Sequence, residues 1–474
     1  MSERRSAASL RGRVVLRIAL SWLLLGAGVA PGQEPTALPD SARQGYGLSY
    51  WGTIPAPSDS SVAPVQNRRM PLWEGVLVWP YRVVAFPFRV VADGIGATIE
   101  AVDESPFLRR ILSFQARALK VSPELNVGGL SGFGAGIAIQ RDSLGGDNHQ
   151  LRFRVSGSTQ QDARATFGTR FPLGRNGRLT LGAGFRDHAN TRFFGIGPAA
   201  VEQDESLYRE VQTWVGAIYG HRLTDHLVLA GALEFTSSYA DEPRGDFAPP
   251  LSERFADALP PGWGVTTTGF LSGLTVEHDD TDGTARPNRG GRRIAHAAYL
   301  HSLQDQWASH WNFRLEAQQF TRLWFPGTVL ALRGVLTWLE PVGDAPIPFQ
   351  RLLNNNDPDL FRGFPDRRWR DNGILLLTAE YRWPMWAYGR ADGAGVDAYV
   401  LTDVAQVFPE LSAIRTDDFT LSYGGGIRLV SGGGFLLRLE YARSAEGGIW
   451  RLQSHQTFQF VRGLFHGRDA VPAR

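Results

Sequence analysis

Most of this chain alternates apolar and polar residues with a period of two, in stretches longer than an ordinary strand. Residues 311–318 read Trp-Asn-Phe-Arg-Leu-Glu-Ala-Gln. Successive side chains of a strand point to opposite faces. Trp311, Phe313, Leu315 and Ala317 therefore share one face, and Asn312, Arg314, Glu316 and Gln318 the other. Leu151, Phe153 and Val155 alternate in the same way with Arg152, Arg154 and Ser156. So do Leu179, Leu181, Ala183 and Phe185, then Leu227, Leu229 and Leu233 against Glu234. Near the end, Phe435, Leu437, Leu439 and Tyr441 oppose Arg438 and Glu440.

Two all-β architectures accept such strands. A soluble sandwich buries the apolar faces, whereas a membrane barrel turns them toward lipid around a wet interior. The segments run about ten to fourteen residues, against five or six for a typical soluble strand, and a tilted membrane strand needs about nine to eleven. The polar faces carry Arg and Glu at mid-strand, and Trp338, Tyr381, Trp383 and Trp450 stand near segment ends, where an interfacial girdle falls. The pattern predicts a transmembrane antiparallel β-barrel over 114–463. Its strands are expected at 114–124, 132–141, 149–159, 162–172, 178–189, 206–220, 225–238, 266–280, 291–303, 308–321, 327–339, 372–383, 395–405, 417–430, 433–445 and 450–463. These are sixteen, an even number as in bacterial single-chain barrels. Pro123 interrupts the first of them. The longest connections, 190–205, 239–265 and 340–371, follow the fifth, seventh and eleventh strands, so they share one end of the barrel.

The flanks read differently. Arg4, Arg5, Arg11, Arg13 and Arg17 lead into the apolar stretch 14–25 and then Gly26, Ala27, Gly28 and Ala30. That order of charged, apolar and small residues is expected of a secretory signal peptide over 1–32. Residues 33–71, with Pro35, Pro39, Pro55, Pro57 and Pro64, read as a flexible Pro-rich N-terminus. In 72–113, Phe88, Val91, Ala92, Ile95, Ile99 and Val102 recur at helical spacing. An amphipathic helical segment is expected there, packed on the rest of the protein or lying at a membrane interface with Trp73, Trp79 and Tyr81. Residues 464–474 form a C-terminal tail.

Composition removes several functions. The net charge of +2 lacks the basic excess of a nucleic-acid binder. The absence of Cys excludes thiol nucleophiles and Cys-ligated metals. There is no Gly-x-Ser-x-Gly elbow and no His-Glu-x-x-His pair. His278 beside Asp279 and Asp280 fits a polar loop margin better than a metal site. No catalytic residue, metal or cofactor is expected, and the chain does not read as an enzyme.

Residues 361–364 read Phe-Arg-Gly-Phe, followed by Pro365-Asp366-Arg367-Arg368-Trp369 and Leu377-Thr378-Ala379-Glu380-Tyr381-Arg382-Trp383-Pro384. With Phe193-Phe194-Gly195-Ile196-Gly197 and Gly424-Gly425-Gly426-Ile427-Arg428-Leu429, their order and spacing resemble the BamA/TamA-like outer-membrane superfamily, also called the bacterial surface antigen family. The resemblance implies a long loop whose Arg-Gly-Phe tip folds back into a sixteen-stranded barrel. It implies that Arg362 meets an acidic residue on the lumen face, for which Asp403 holds the matching position, although Leu401 stands where the family has an aromatic and Ala405 where it has Gly. Glu380 falls on the inward face of the neighbouring strand, opposite Leu375, Leu377, Ala379, Tyr381 and Trp383. Arg362, Gly363, Phe364, Asp403 and Glu380 thus form the expected loop–lumen anchor. Gly363 would let the loop backbone approach the wall closely.

The resemblance further implies a cell outer membrane location and a role in inserting or translocating protein or lipid. The partners would be outer-membrane lipid, unfolded outer-membrane protein clients or periplasmic factors. Residues 33–113 leave little room for the POTRA modules of the usual members, so the chain resembles a short member without a POTRA array. Pro123 and the glycines between Gly128 and Gly136 make the first strand a poor partner at the barrel seam. The alternative is a passive solute pore, with Arg152, Arg154, Arg164, Arg170, Arg314 and Arg438 lining an anion-tolerant lumen.

Overall fold

A computed structural model describes residues 114–453, apart from 117–118, 128, 143–148, 283–286, 324–326, 358, 388–394 and 431–435. The expected leader, Pro-rich stretch, helical segment and tail lie outside the described residues, as does 454–463 of the last predicted strand. In chain order the strands begin with β1 (Phe114–Ala116), β2 (Leu119–Val127), β3 (Phe133–Asp142), β4 (Gln150–Ser158), β5 (Ala163–Leu173) and β6 (Gly177–Phe193). There follow β7 (Ser206–Arg222), β8 (Leu227–Asp241), β9 (Thr267–Asp279), β10 (Gly290–Ser302), β11 (Ser309–Arg322) and β12 (Val329–Val342). A long loop then carries the two-residue strands β13 (Leu353–Asn354) and β14 (Arg370–Asp371), which pair only with each other. The wall resumes with β15 (Gly373–Ala387), β16 (Gly395–Phe408), β17 (Thr420–Val430), β18 (Leu436–Ser444) and β19 (Gly447–Gln453).

These wall strands make one 17-stranded sheet, and setting aside the three-residue β1 leaves sixteen full strands. The ladders join sequence neighbours and are antiparallel, as from Phe153↔Phe167 between β4 and β5 to Tyr441↔Trp450 between β18 and β19. The sheet curls strongly. Arg367 and Arg362 belong to one loop, yet Arg367 pairs with Glu210 on β7 and Arg362 with Glu440 on β18. Laid flat, with strands ~4.8 Å apart, the sheet would hold β7 and β18 about 40 Å from each other.

The residues exposed on the outside are the apolar ones. Along β9, Phe270, Leu274 and Val276 are exposed while Leu271 and Glu277 are buried. Leu233 is 64 % exposed and Trp450 69 %, whereas Arg333 and Glu316, an ion pair at 2.8 Å, are buried in the interior. This inverts the soluble rule, in which charged groups face water outside, and matches a lipid-facing wall around a polar lumen. Aromatics line up on the outer face: Tyr299 meets Trp311 at a tilt, and Trp311, Phe313 and Trp338 stack in turn, at centroid separations of 5.1, 5.9 and 4.8 Å.

Three features depart from the expectation. Pro123 does not end the first strand: β2 runs through it, with Pro123 opposite Ile137. A proline without a backbone N–H is tolerated on an edge strand. The first strand is shifted toward its C-terminal side, and β1 folds back on its opening residues, with Phe114 opposite Val121. Finally, β6, β8 and β12 end three or four residues beyond their predicted limits. At the end of β6 the alternation vanishes, because loops cover both faces and 189–191 are all buried. Phe193, Tyr208, Leu251, Ile347, Phe349 and Leu352 pack there into one apolar cluster that roofs the long-loop end of the barrel.

Candidate functional site

Residues 343–372 connect β12 to β15 and pass into the barrel. At the tip, Phe361 adopts a left-handed backbone with φ of 54°, rare for a bulky residue, and aims the next side chain at the wall. Arg362 is fully buried. Its Nε donates to Asp403 Oδ2 at 2.8 Å and its Nη2 to Asp403 Oδ1 at 2.7 Å, the two-pronged geometry that suits a planar guanidinium and a carboxylate. The Arg362 backbone N–H also donates to Asp403 Oδ2, at 3.3 Å. Its Nη1 reaches Glu380 Oε1 at 2.5 Å and Glu440 Oε2 at 3.3 Å.

Each carboxylate is held from a second side. Thr378 Oγ1 donates to Asp403 at 2.8 Å, Arg382 Nε to Glu380 at 2.8 Å, and Tyr399 Oη to Glu440 at 2.9 Å. Burial opposes the Arg362 charge, but Asp403, Glu440 and Glu380 outweigh it and hold its proton well above the ordinary arginine range. The structure thus brings Arg362, Asp403 and Glu380 together. Gly363 lies against the wall: a Cβ there would stand 2.6 Å from Ser422 Cβ and 2.9 Å from the Arg443 carbonyl carbon. Phe364 is buried with Phe361, Trp369, Ile374 and Leu376.

Further contacts seat the rest of the loop. Arg451 on β19 donates to the Phe364 carbonyl at 2.6 Å and to Asp366 at 2.6 Å. Arg438 on β18 pairs with Asp359 at 2.7 Å. Arg368 pairs with Glu446 at 2.8 Å, donates to the Ala200 carbonyl at 2.8 Å and lies 4.1 Å above the Trp369 ring. Arg370 donates to Tyr208 Oη at 2.9 Å beneath the apolar roof. Burial pushes the Asp371 carboxyl in β14 up to about 6, against the Asn372 backbone N–H that donates to it at 2.8 Å.

Sequence reasoning did not include Glu440, Arg438, Arg451 and Arg368 in the anchor. Parity places Glu440 and Arg438 on the inward face of their strand, which is a usable signal. Nothing local marks Arg451 or Arg368 as partners of the loop. Arg314 and Arg438, expected among pore-lining cations, are paired with Glu316 and Asp359.

A curled antiparallel wall with an apolar exterior, a charged interior and a long loop anchored inside by one buried arginine defines an outer-membrane β-barrel. Comparison with known proteins narrows the class. The Omp85 superfamily domain matches residues 144–465, and the chain belongs to that superfamily. In fold it is similar to BamA from Haemophilus ducreyi lacking POTRA domains 1–3, at 13 % identity and a TM-score of 0.54, over 72 % of this chain and 71 % of that one. CdiB from Acinetobacter baumannii matches at 12 % identity and a TM-score of 0.45, over 71 % of this chain and 59 % of that one. CdiB from Escherichia coli matches at 11 % and 0.47, over 72 % and 61 %. The chain therefore spans about three fifths of either CdiB. No curated protein sequence matches it.

Proposed function

We propose that this barrel assists the insertion or translocation of protein, or the movement of lipid, at the outer membrane, and that it works through its wall rather than through an open lumen. The observation that carries this reading is the seated loop. Arg362 fixes the tip to β15, β16 and β18, Arg367 and Arg370 reach β7, and Arg451 ties it to β19. A lumen crossed by such a loop, with an apolar roof at one end, is a poor wide channel. The partners of this reading are outer-membrane lipid, unfolded outer-membrane protein clients and periplasmic factors.

The seam between β2 and β19 is the place where the wall is weakest in sequence. Pro123 withholds a backbone donor from β2. A wall that parts there would expose strand edges to a client and thin the bilayer beside it. Reconstitution tests the reading: vesicles containing the protein should speed the folding of an unfolded outer-membrane barrel, or exchange labelled lipid between leaflets, faster than empty vesicles. A large, steady single-channel conductance with neither activity would replace this reading with the passive pore.

A further inference from the structure

The lipid-facing wall is not smooth. Across β5–β10 its outer face carries a groove of about 680 Å³, inside the roughly 300–1,000 Å³ of small-molecule pockets. Two register rows form it. The first runs Leu181, Ala217, Leu233, Ser272 and Tyr299, each directly opposite the next from β6 to β10. The second runs Ala183, Val215, Phe235, Phe270 and His301 on the same five strands. Ala183, Ala217 and Ser272 are the small members and leave the hollow. Leu181, Val215, Leu233 and Phe270 are exposed and stand around it.

Apolar walls of this kind need nothing beyond bulk hydrocarbon. The end of the groove at β9 and β10 is different, because it carries Ser272, Tyr299 and His301. Ser272 and His301 are exposed on the outer face. Among the described residues, Ser272 Oγ, Tyr299 Oη and the His301 ring make no hydrogen bond to the protein. Ser272 faces Tyr299 across the ladder, and His301 faces Phe270, two residues along β9 from Ser272. Three hydrogen-bonding groups thus gather at one end of an apolar trough. A polar group left without a partner in hydrocarbon costs free energy, so the cluster fits a ligand that brings one.

The groove also has a direction. Tyr299 meets Trp311 at 5.1 Å within the row of outer aromatics, and such girdles mark the boundary between headgroups and hydrocarbon. Tyr299 is the tenth residue of β10, near the end that meets the long loops, whereas Leu181 is the fifth of β6, near the opposite end. The polar end therefore lies at the membrane surface and the apolar end deeper. Four strand steps separate them, about 19 Å at ~4.8 Å each. Half of a ~30 Å hydrocarbon core is about 15 Å. Laid obliquely, the groove matches one acyl chain of that leaflet.

We propose that this groove is a lipid site. It takes one acyl chain of a bilayer lipid from the leaflet at the long-loop end, with an ester or amide carbonyl of that lipid at Ser272, Tyr299 and His301. Serine and tyrosine hydroxyls and an imidazole N–H are donors, and a carbonyl accepts. The apolar rows hold the chain from β9 down to β6. The site is independent of which activity the barrel performs.

Photo-crosslinking of the full-length protein in phosphatidylcholine vesicles tests this. The probes are trace phosphatidylethanolamines with a diazirine either at the terminal carbon of one chain or beside its carbonyl. The terminal probe should label β6 and β7 around 181–183 and 215–217, and the carbonyl probe β9 and β10 around 272 and 299–301. Both should exceed labelling of the outer face of β15–β18. Ser272→Ala should lower that excess about fivefold, the loss of one hydrogen bond. Ala217→Phe, which fills the trough with an apolar ring, should abolish it. Heat-modified gel mobility establishes that each variant is folded, and if Ala217→Phe is not, Ser272→Ala decides. Equal labelling around the wall, or an excess unchanged in Ser272→Ala, overturns the proposal and leaves bulk lipid only. So does ready oxidation of Leu233→Cys to disulfide-linked dimers in protein-dilute vesicles, which would put a second copy of the chain over the groove.

Discussion

Arg362→Ala tests the anchor most severely. The substitution leaves Asp403, Glu380 and Glu440 buried around an empty space, with Thr378, Arg382 and Tyr399 as remaining partners. Removing one member of a buried ion pair costs about 3–5 kcal/mol, because the other charge is stranded. At 1.36 kcal/mol per tenfold, the ratio of seated to unseated loop should fall by a factor of roughly 150 to 5,000. Limited proteolysis of the reconstituted protein reads this as faster cleavage within 343–372, with the strand pattern of the wall unchanged. A cycle with Asp403→Asn should show a coupling of about 2–3 kcal/mol, as expected of residues in one network. If Arg362→Ala leaves both loop cleavage and barrel melting unchanged, or if the two substitutions are simply additive, the loop is not held by this pair and the reasoning fails.

Gly363→Ala places a methyl group against Ser422 and the Arg443–Ser444 backbone; overpacking of this kind costs about 1–3 kcal/mol, visible as faster loop cleavage than in the parent. The Asp371 carboxyl has a folded value of about 6 against an ordinary 3.8. The unfolded loop therefore ionises first as pH rises, and seating of β13–β14 should weaken between pH 3.8 and about 6 and then level off. Asp371→Asn should flatten that profile in a hydrogen-exchange titration of the loop. Leu274→Arg on the lipid face of β9 should lower refolding stability in vesicles by about 2–4 kcal/mol, and Thr275→Arg on the lumen face by clearly less.

Period-two alternation makes β4, β9 and β11 legible, because each has lipid on one side and a polar interior on the other, so every residue carries a signal. The signal fails where that asymmetry fails. At the end of β6, packed loops bury both faces, and the sequence looks like a connection although the ladder continues. The strands β13 and β14 are two residues each, too short for any periodicity. The anchor was legible through the order Phe-Arg-Gly-Phe and an inward Asp403, both local features. Contact of Arg362 with Glu440, 78 residues away, depends instead on how far the sheet curls. Curvature is a property of the whole wall, so no tetrapeptide encodes it. Arg451 illustrates the same point: it meets the Phe364 carbonyl and the Asp366 carboxylate, 87 and 85 residues away along the chain.

The central claim is that each strand shows its apolar face to bilayer hydrocarbon and its polar face to an aqueous interior. Single spin labels at successive positions 270–277 of β9, introduced into the Cys-free chain and reconstituted in vesicles, measure this residue by residue. Oxygen, which partitions into lipid, should broaden labels at 270, 272, 274 and 276 more than a water-soluble nickel complex does. At 271, 273, 275 and 277 that preference should be lost. A scan without period two, or with the two phases exchanged, would contradict the orientation of the wall and with it the seat of Arg362.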